Sequence, residues 1–189
     1  MRHATDLPDV VQAAGRGEHW ALSELFRAYQ PALLRYLRAQ APGVADDLAS
    51  EVWIGAARGL VRFTGDETAF RRWLFAIARN QLIGHRRRVT RQRTDVMATG
   101  DLDLVADVRR AHDPVAAALD RLGAQGAVDA LIAGLTPEQA EVVLLRVVGG
   151  LSVAETAAIM DRAPGAVRVL CHRALRRMAE QFGDRVGTP

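Results

Sequence analysis

Residues 136–155 read TPEQAEVVLLRVVGGLSVAE, and this stretch decides the fold of the C-terminal half. Thr136-Pro137-Glu138-Gln139 and Ser152-Val153-Ala154-Glu155 both have the form of a capping box, in which a hydroxyl residue and an acid or amide three positions later close a helix N-terminus. The intervening pair Gly149-Gly150 predicts that the first helix stops there. The stretch therefore predicts two successive helices, the first of which carries an apolar face.

A third helix is predicted to begin at Pro164, after the turn Asp161-Arg162-Ala163, and to reach Phe182. The predicted order is that of a helix-turn-helix unit: a helix, a glycine turn, a short helix, a three-residue turn and a long helix. No acidic residue lies between positions 162 and 179, and five arginines there suit contact with phosphate: Arg162, Arg168, Arg173, Arg176 and Arg177. A solvated, arginine-rich amphipathic helix is the alternative.

The N-terminal half is also predicted to be helical. Apolar residues recur at helical spacing from Trp20 to Leu37, and Pro31 predicts a kink or a break within that stretch. Further helices are expected over 46–60 and 67–85. No stretch alternates like a strand, so the fold class is all-α.

A strongly basic segment follows on the third of these helices. Residues 71–93 contain eight Arg and no Asp or Glu. On a helix, the arginines at 71, 72, 79 and 86 share one side with Phe75 and Leu82, while Phe70, Trp73, Leu74 and Ile77 lie on the opposite side. Positive charge interleaved with apolar residues suits single-stranded or distorted nucleic acid. An exposed charged helix with no ligand is the alternative.

Residues 94–120 change character, with six Asp against two Arg. We therefore expect a helical domain over 18–93, an acidic linker over 94–114 and a second helical domain over 115–183. Whether the two domains touch is left open by the sequence.

Composition excludes several classes of protein. The single cysteine, Cys171, excludes a disulfide framework and a thiolate zinc cluster, and the five His form no HExxH motif. No apolar run approaches 18 residues, so we expect a cytoplasmic protein with no membrane insertion. We expect no catalytic residues, no metal, no cofactor and no small-molecule substrate.

Two sets of motifs resemble known protein regions. The segments 47–53, 63–66 and 70–80 (DLASEVW, FTGD and FRRWLFAIARN) look like region 2 of bacterial sigma-70 factors. The segments 135–139, 150–157, 165–168 and 172–175 (LTPEQ, GLSVAETA, GAVR and HRAL) look like region 4. Their order and spacing resemble the extracytoplasmic-function (ECF) group, which keeps these two domains.

The resemblance implies a protein that binds core RNA polymerase and directs it to promoter DNA. The clamp helices of the largest polymerase subunit would contact Asp47, Leu48, Glu51, Val52 and Trp53. The loop from Phe63 to Thr68 would capture a flipped base of the −10 element. The residues implied for −10 binding are Phe63, Thr64, Asp66, Arg71, Arg72, Arg79 and Asn80.

For the second domain, the resemblance implies reading of the −35 element in the major groove and contact with the flap of the second-largest subunit. The residues implied for −35 binding are Arg162, Arg168, His172, Arg173 and Arg176. An anti-sigma protein is implied as a further partner. The alternative is a helix-turn-helix transcriptional regulator with an N-terminal sensor domain, but a sensor does not need the basic segment 71–93.

Overall fold

The computed structural model describes residues 7–99 and 124–186, and within these ranges it contains helices and no strand. The all-α prediction is confirmed. The helices are α1 (Leu7–Gly15), α2 (His19–Arg38), α3 (Ala45–Leu60), α4 (Glu67–Thr99), α5 (Ala124–Ile132), α6 (Pro137–Val143), α7 (Val153–Met160) and α8 (Pro164–Val186). A short 3₁₀ turn (Pro42–Val44) precedes α3, and a π-helical segment (Leu144–Val148) extends α6. We call α1–α4 the first domain and α5–α8 the second domain.

The first domain is built around aromatic residues contributed by α2, α4 and the loop before α4. Phe70 lies at the centre, with ring centroids 5.4 Å from Tyr29 and 5.9 Å from Phe63. Trp73 stacks on Phe63 at 5.0 Å. Edge-to-face rings at these distances stabilise a core beyond the area they bury. The cluster fixes α4 against α2 and sets the position of the loop.

Two features of the first domain differ from the sequence-based expectation. Pro31 does not break the helix: α2 runs through it from His19 to Arg38. Helix α1 was not predicted, although Val10, Val11 and Ala13 are each 1% exposed. Its nine residues are too few for periodicity to identify a helix, and packing against α2 stabilises it instead.

The second domain follows the capping boxes closely. The Thr136 hydroxyl accepts from the Gln139 N–H (3.3 Å), and the Gln139 side chain accepts from the Thr136 N–H (3.1 Å). The Ser152 hydroxyl accepts from the Glu155 N–H (3.2 Å), and Glu155 accepts from the Ser152 N–H (2.7 Å). Both predicted helix starts are confirmed, and Pro164 begins α8 as expected.

The turns of the helix-turn-helix unit also have a local cause. The Gly149 N–H donates to the Leu144 carbonyl (2.9 Å), which closes the π-helical segment. Asp161 ends α7 in the left-handed conformation at φ 53°, and the Arg162 N–H donates back to Ala157 (3.0 Å). The chain thus turns sharply between α7 and α8.

The two domains pack against each other. Helix α4 contacts α7, and α2 contacts the π-helical segment, so the buried residues of both domains form one continuous core. Arg79 of the first domain forms an ion pair with Glu141 of the second, with Nε and Oε1 2.9 Å apart. The expected linker begins within α4, which continues to Thr99, and its residues from 100 onward lie outside the described residues.

Close packing of α3 on α4 gives a stability prediction. A methyl group on Gly59 would lie 2.5 Å from Cζ2 of Trp73, so Gly59→Ala should lower the free energy of unfolding by about 1–3 kcal/mol through overpacking. Gly165→Ala is the matched control, because a methyl group there meets open space and should be neutral or stabilise by about 0.4–1 kcal/mol. Urea unfolding of the three proteins measures both effects. Equal stability of Gly59→Ala and the parent would contradict this packing of Trp73.

Candidate nucleic-acid interface

The arginines of α4 fall into an outer and an inner group. Arg72, Asn80 and Arg86 are exposed, as are Arg87, Arg88 and Arg91 further along the helix. Arg71 and Arg79 are half-buried, because the second domain lies beside them. The side chain of Arg93 is outside the described part of the chain. The basic face is therefore open from Arg86 onward, whereas in its first half Arg72 and Asn80 are open and Arg71 and Arg79 are partly covered.

The inner arginines are held by acidic side chains. Arg79 is paired with Glu141, and Arg71 lies 3.9 Å from the carboxylate of Glu67. Glu67 also accepts a hydrogen bond from the Tyr29 hydroxyl at 3.0 Å. Burial, and secondarily the Glu67 carboxylate, raises the pKa of Tyr29 above its ordinary value, so this phenol stays a neutral donor.

Phe75 and Leu82 do not lie between the charges as the helical projection suggested. Both are fully buried, and the Phe75 ring meets Tyr36 edge-on at 5.5 Å. Helix α4 thus packs along a wider arc than the four residues Phe70, Trp73, Leu74 and Ile77 define. The projection failed because it had no information about α2 or the second domain, which cover this side.

The loop before α4 forms one wall of a cleft. Phe63 is half-buried against Trp73, whereas Thr64 and Asp66 are exposed. One Asp66 oxygen accepts from the Ala69 N–H at 2.8 Å, which caps the start of α4. A cleft of about 440 Å³ opens beside the loop, lined by Val11, Gln12, Gly15, Phe63, Thr64 and Gly65. Helix α1, which the sequence did not predict, supplies its second wall.

The residues expected to contact polymerase are divided between surface and core. Asp47 and Glu51 are exposed on α3, but Leu48 and Val52 are 3% and 0% exposed and hold α3 in the domain. Trp53 is 8% exposed and donates to the Gln30 side chain at 2.7 Å. Leu48 and Val52 are therefore packing residues.

An apolar surface beside these carboxylates was not identified from the sequence. Ile54 is 51% exposed on α3, and Phe26 is 43% exposed on α2 with its ring 5.2 Å from Trp53. Phe26 and Ile54 are both large apolar side chains that are left exposed, and exposed apolar surface bordered by polar residues is typical of protein interaction sites. In the sequence, Phe26 is part of a helical stripe like any core residue, so periodicity could not distinguish it.

Helix α8 presents its arginines on one face. Arg168, His172, Arg173 and Arg176 are exposed, while Val167 and Ala174 on the other face are fully buried. A groove of about 360 Å³ runs beside this face, lined by Gln139, Arg173, Arg176, Arg177 and Glu180. Helical spacing places these arginines together as predicted.

Two of the predicted −35 residues have acidic neighbours. Arg162, in the turn before α8, forms an ion pair with Glu138 of α6. Arg176 lies 3.4 Å from Glu180 on its own helix. Both pairs are exposed, so they contribute little stability and can be exchanged for other anions.

Other kinds of site have little support in the described residues. Within 7–99 and 124–186, no three His, Cys, Asp or Glu side chains are grouped so that they could hold a metal ion. In the same part of the chain, no helix is both long enough and apolar enough to cross a membrane.

Two family models match this chain, one in each domain. The family model for Sigma-70 region 2 matches residues 25–92, and the model for Sigma-70, region 4 matches residues 125–178. The former covers most of α2, all of α3 and most of α4, and the latter covers α6, α7 and most of α8.

Two relatives align over almost the whole chain. The ECF RNA polymerase sigma factor BldN of Streptomyces coelicolor is 35% identical over 178 residues, covering 93% of this chain and 66% of its own length. The ECF RNA polymerase sigma factor SigD of Mycobacterium tuberculosis is 33% identical over 182 residues, covering 93% of this chain and 84% of its own length.

Among solved structures, CnrH in complex with the cytosolic domain of CnrY is similar in fold, with a TM-score of 0.62 and 22% identity. The match covers 95% of this chain and 99% of that one. Both family models, in this order, and the alignment with SigD lead to one assignment. The chain belongs to the extracytoplasmic-function group of the sigma-70 family and is a promoter-directing factor of transcription initiation.

Proposed function

We propose that the two domains of this sigma factor divide promoter recognition between α4, which holds the melted −10 strand, and α8, which reads the −35 duplex. The observation that carries the proposal is the presence of two separate arginine faces, one on each helix. Single strands and duplex need different surfaces: the former a groove with stacking groups, the latter a helix that fits a major groove.

At the −10 element, we assign backbone contacts to Arg71, Arg72, Arg79 and Asn80. Extruding a base from the stack costs a few kcal/mol, so a binding cleft and phosphate contacts must compensate. The cleft beside Phe63 and Thr64 offers an aromatic ring and a hydroxyl for the flipped base. Asp66 acts by capping α4 and holding the loop in place.

At the −35 element, we assign base reading to Arg168, His172 and Arg173, since residues near the start of a recognition helix reach base edges. Arg162 and Arg176 flank them and are assigned to phosphate. Because these outer arginines are paired with exposed acids, binding DNA exchanges one anion for another.

For core polymerase, we assign the clamp helices of the largest subunit to the α3 surface. Asp47 and Glu51 are the charged contacts, and Ile54, Phe26 and the edge of Trp53 are the apolar contacts. An apolar centre with charged surroundings is the usual composition of such an interface. The flap of the second-largest subunit is assigned to α6. In its π-helical extension, Val147 is 63% exposed.

The remaining properties follow from this role. Residues 18–93 form the unit for core and −10 binding, 94–114 the linker and 115–183 the unit for −35 binding. The protein works in the cytoplasm, without catalysis, cofactor or small-molecule substrate of its own, and an anti-sigma protein is a further partner. The sensor-regulator alternative is not favoured, because the N-terminal half matches sigma region 2.

The overall role is tested by in vitro transcription. Core polymerase is given sheared genomic DNA with and without this protein, and the RNA 5′ ends are mapped. New starts that share two short upstream motifs are expected, and they would define the −10 and −35 elements. Duplex binding without new starts would contradict the role.

Arg168→Ala distinguishes base reading from phosphate contact. If Arg168 reads a base, the change should cost about 1–3 kcal/mol of binding and relax preference at one −35 position. Holoenzyme binding to −35 variants at several salt concentrations measures this. Uniform weakening across sequences, with a salt slope lower by about one, would instead assign Arg168 to phosphate.

Arg72→Ala tests the strand-binding face of α4. The side chain is exposed on that face, so its loss should slow open-complex formation without changing the free energy of unfolding. Permanganate footprinting of the melted region measures the effect. Arg27→Ala is the control, because Arg27 is exposed on α2 and pairs with Glu24. Equal rates of open-complex formation for the two variants would show that Arg72 does not contact the strand.

Glu51→Arg tests the polymerase surface. Reversing an exposed charge beside Ile54 should weaken binding to core polymerase at least several-fold, because like charges across an interface are strongly unfavourable. Asp9→Arg makes the same change on α1, outside the proposed surface, and should bind as the parent does. Affinity is measured by titrating labelled protein with core polymerase in the absence of DNA. Equal affinities would place the docking surface elsewhere.

A further inference from the structure

The contact between the domains lies on the same face of α4 that the proposed function assigns to the −10 strand. A methyl group on Gly149 would be 3.4 Å from the Phe75 ring, and one on Gly150 would be 3.1 Å from a terminal nitrogen of Arg71. These glycines let the end of the π-helical segment approach α4 closely. Arg71, Phe75 and Arg79 are spaced by four residues, so they form one stripe along the helix. The second domain lies along this stripe.

The ion pair at the end of the stripe is poorly exposed on both sides. The side chains of Arg79 and Glu141 are 20% and 11% exposed, and the atoms that join them are 2.9 Å apart. Among the described residues, Glu141 is the charged one that is buried, with 8% exposure. A buried carboxylate is strongly unfavourable without a cationic partner, and Glu141 has its partner in the other domain.

Tyr36 of the first domain also lies close to Glu141. Its ring is fully buried beside Phe75, and the Glu141 carboxylate is close enough to raise the pKa of the phenol, after burial itself as the larger cause. Glu141 therefore lies near a phenol that stays neutral and is paired with the Arg79 guanidinium. Without Arg79, the carboxylate would lose its cationic partner while remaining largely buried, which favours separation of the domains.

An arginine side chain has five N–H donors, but that of Arg79 is only 20% exposed, so little of its guanidinium is open to a second anion. The Nε–H of Arg79 is directed at Glu141, and the second domain occupies the space beside Arg71 and Phe75 where a strand would run. In this arrangement the Glu141 carboxylate occupies the Nε–H of Arg79, a residue that the proposed function assigns to the backbone of the melted strand.

We propose that the Arg79–Glu141 ion pair is an autoinhibitory latch, which closes the second domain over the strand-binding stripe of α4 in the free protein. The latch rests on the proposed function of α4. A partner that binds both domains while they are separated favours the open state, and this releases Arg79 for the strand. Core polymerase, which the proposed function places on both domains, is such a partner.

The latch is tested on the full-length protein without polymerase. Glu141→Gln keeps the size of the side chain and removes its charge. Small-angle scattering should show a larger radius of gyration than for the parent. Affinity for a fluorescein-labelled, mixed-sequence single strand of about 20 nucleotides, measured by anisotropy, should rise roughly fivefold or more, the size of a typical coupling between sites.

Glu24→Gln is the control. Glu24 also pairs with an arginine, but that arginine, Arg27, belongs to the same domain and lies outside the assigned DNA contacts. This variant should keep the compact radius and the single-strand affinity of the parent. A gain of affinity equal to that of Glu141→Gln would overturn the latch, because the cause would then be the lost negative charge.

Two further variants keep the outcome decisive if Glu141→Gln is poorly folded. Arg79→Ala should expand the protein but bind the single strand more weakly than Glu141→Gln, because the contact residue itself is lost. The exchange Arg79→Glu with Glu141→Arg should restore the compact radius while single-strand binding stays weak. An exchanged protein that remains expanded would overturn the latch.

Failure of the latch and failure of the proposed function give different results. If the parent starts transcription with core polymerase, but Glu141→Gln matches it in radius and single-strand affinity, the latch is wrong and the function stands. If Glu141→Gln expands without a gain in single-strand affinity, closure does not mask the strand site and the latch is also wrong. If the parent starts no transcription, the proposed function is wrong.

Discussion

The structure depends on α4 packing on two sides at once. Phe70 and Leu74 join it to the first domain, while Phe75, Ala78 and Leu82 are buried on the adjoining arc, toward α2 and the second domain. Its surface is left with basic side chains because residues 71–93 contain no acid. One helix therefore carries the core of the first domain, the contact with the second and the surface for nucleic acid. The residues of α4 available for any one of these roles are therefore limited by the residues that the other two roles require.

Features set by local hydrogen bonds could be predicted from the sequence, and features set by distant packing could not. The starts of α6 and α7 follow from Thr136 and Ser152, whose partners lie three residues away, and the structure confirms both. The exposed arginines of α8 follow from helical spacing in the same way. Helix α1 and the burial of Phe75 depend on contacts with α2 and the second domain, which periodicity cannot reveal.

The candidate polymerase surface shows the same division. Acidic residues at its start and apolar positions along it identified α3. The resemblance, in turn, implied polymerase contacts for Leu48 and Val52, which are buried in the domain's own core. A segment that resembles a known docking helix includes the residues that hold that helix in place, and sequence similarity does not separate the two sets. Exposure separates them, leaving Asp47, Glu51 and Ile54 at the surface.

A buried ion pair stabilises a permanent interface only weakly, but it is well suited to a reversible contact. Well-packed apolar residues in place of Arg79 and Glu141 would hold the domains together at least as firmly, since desolvation offsets much of the attraction between buried charges. Apolar residues would, however, be left facing water when the domains part. The charged pair avoids that cost, because both side chains are readily hydrated once separated, and Arg79 can then meet a phosphate. Glycines 149 and 150 add close contact without a large apolar surface. An interface of this composition can be closed in the free protein and still leave an open state that is soluble and able to bind DNA.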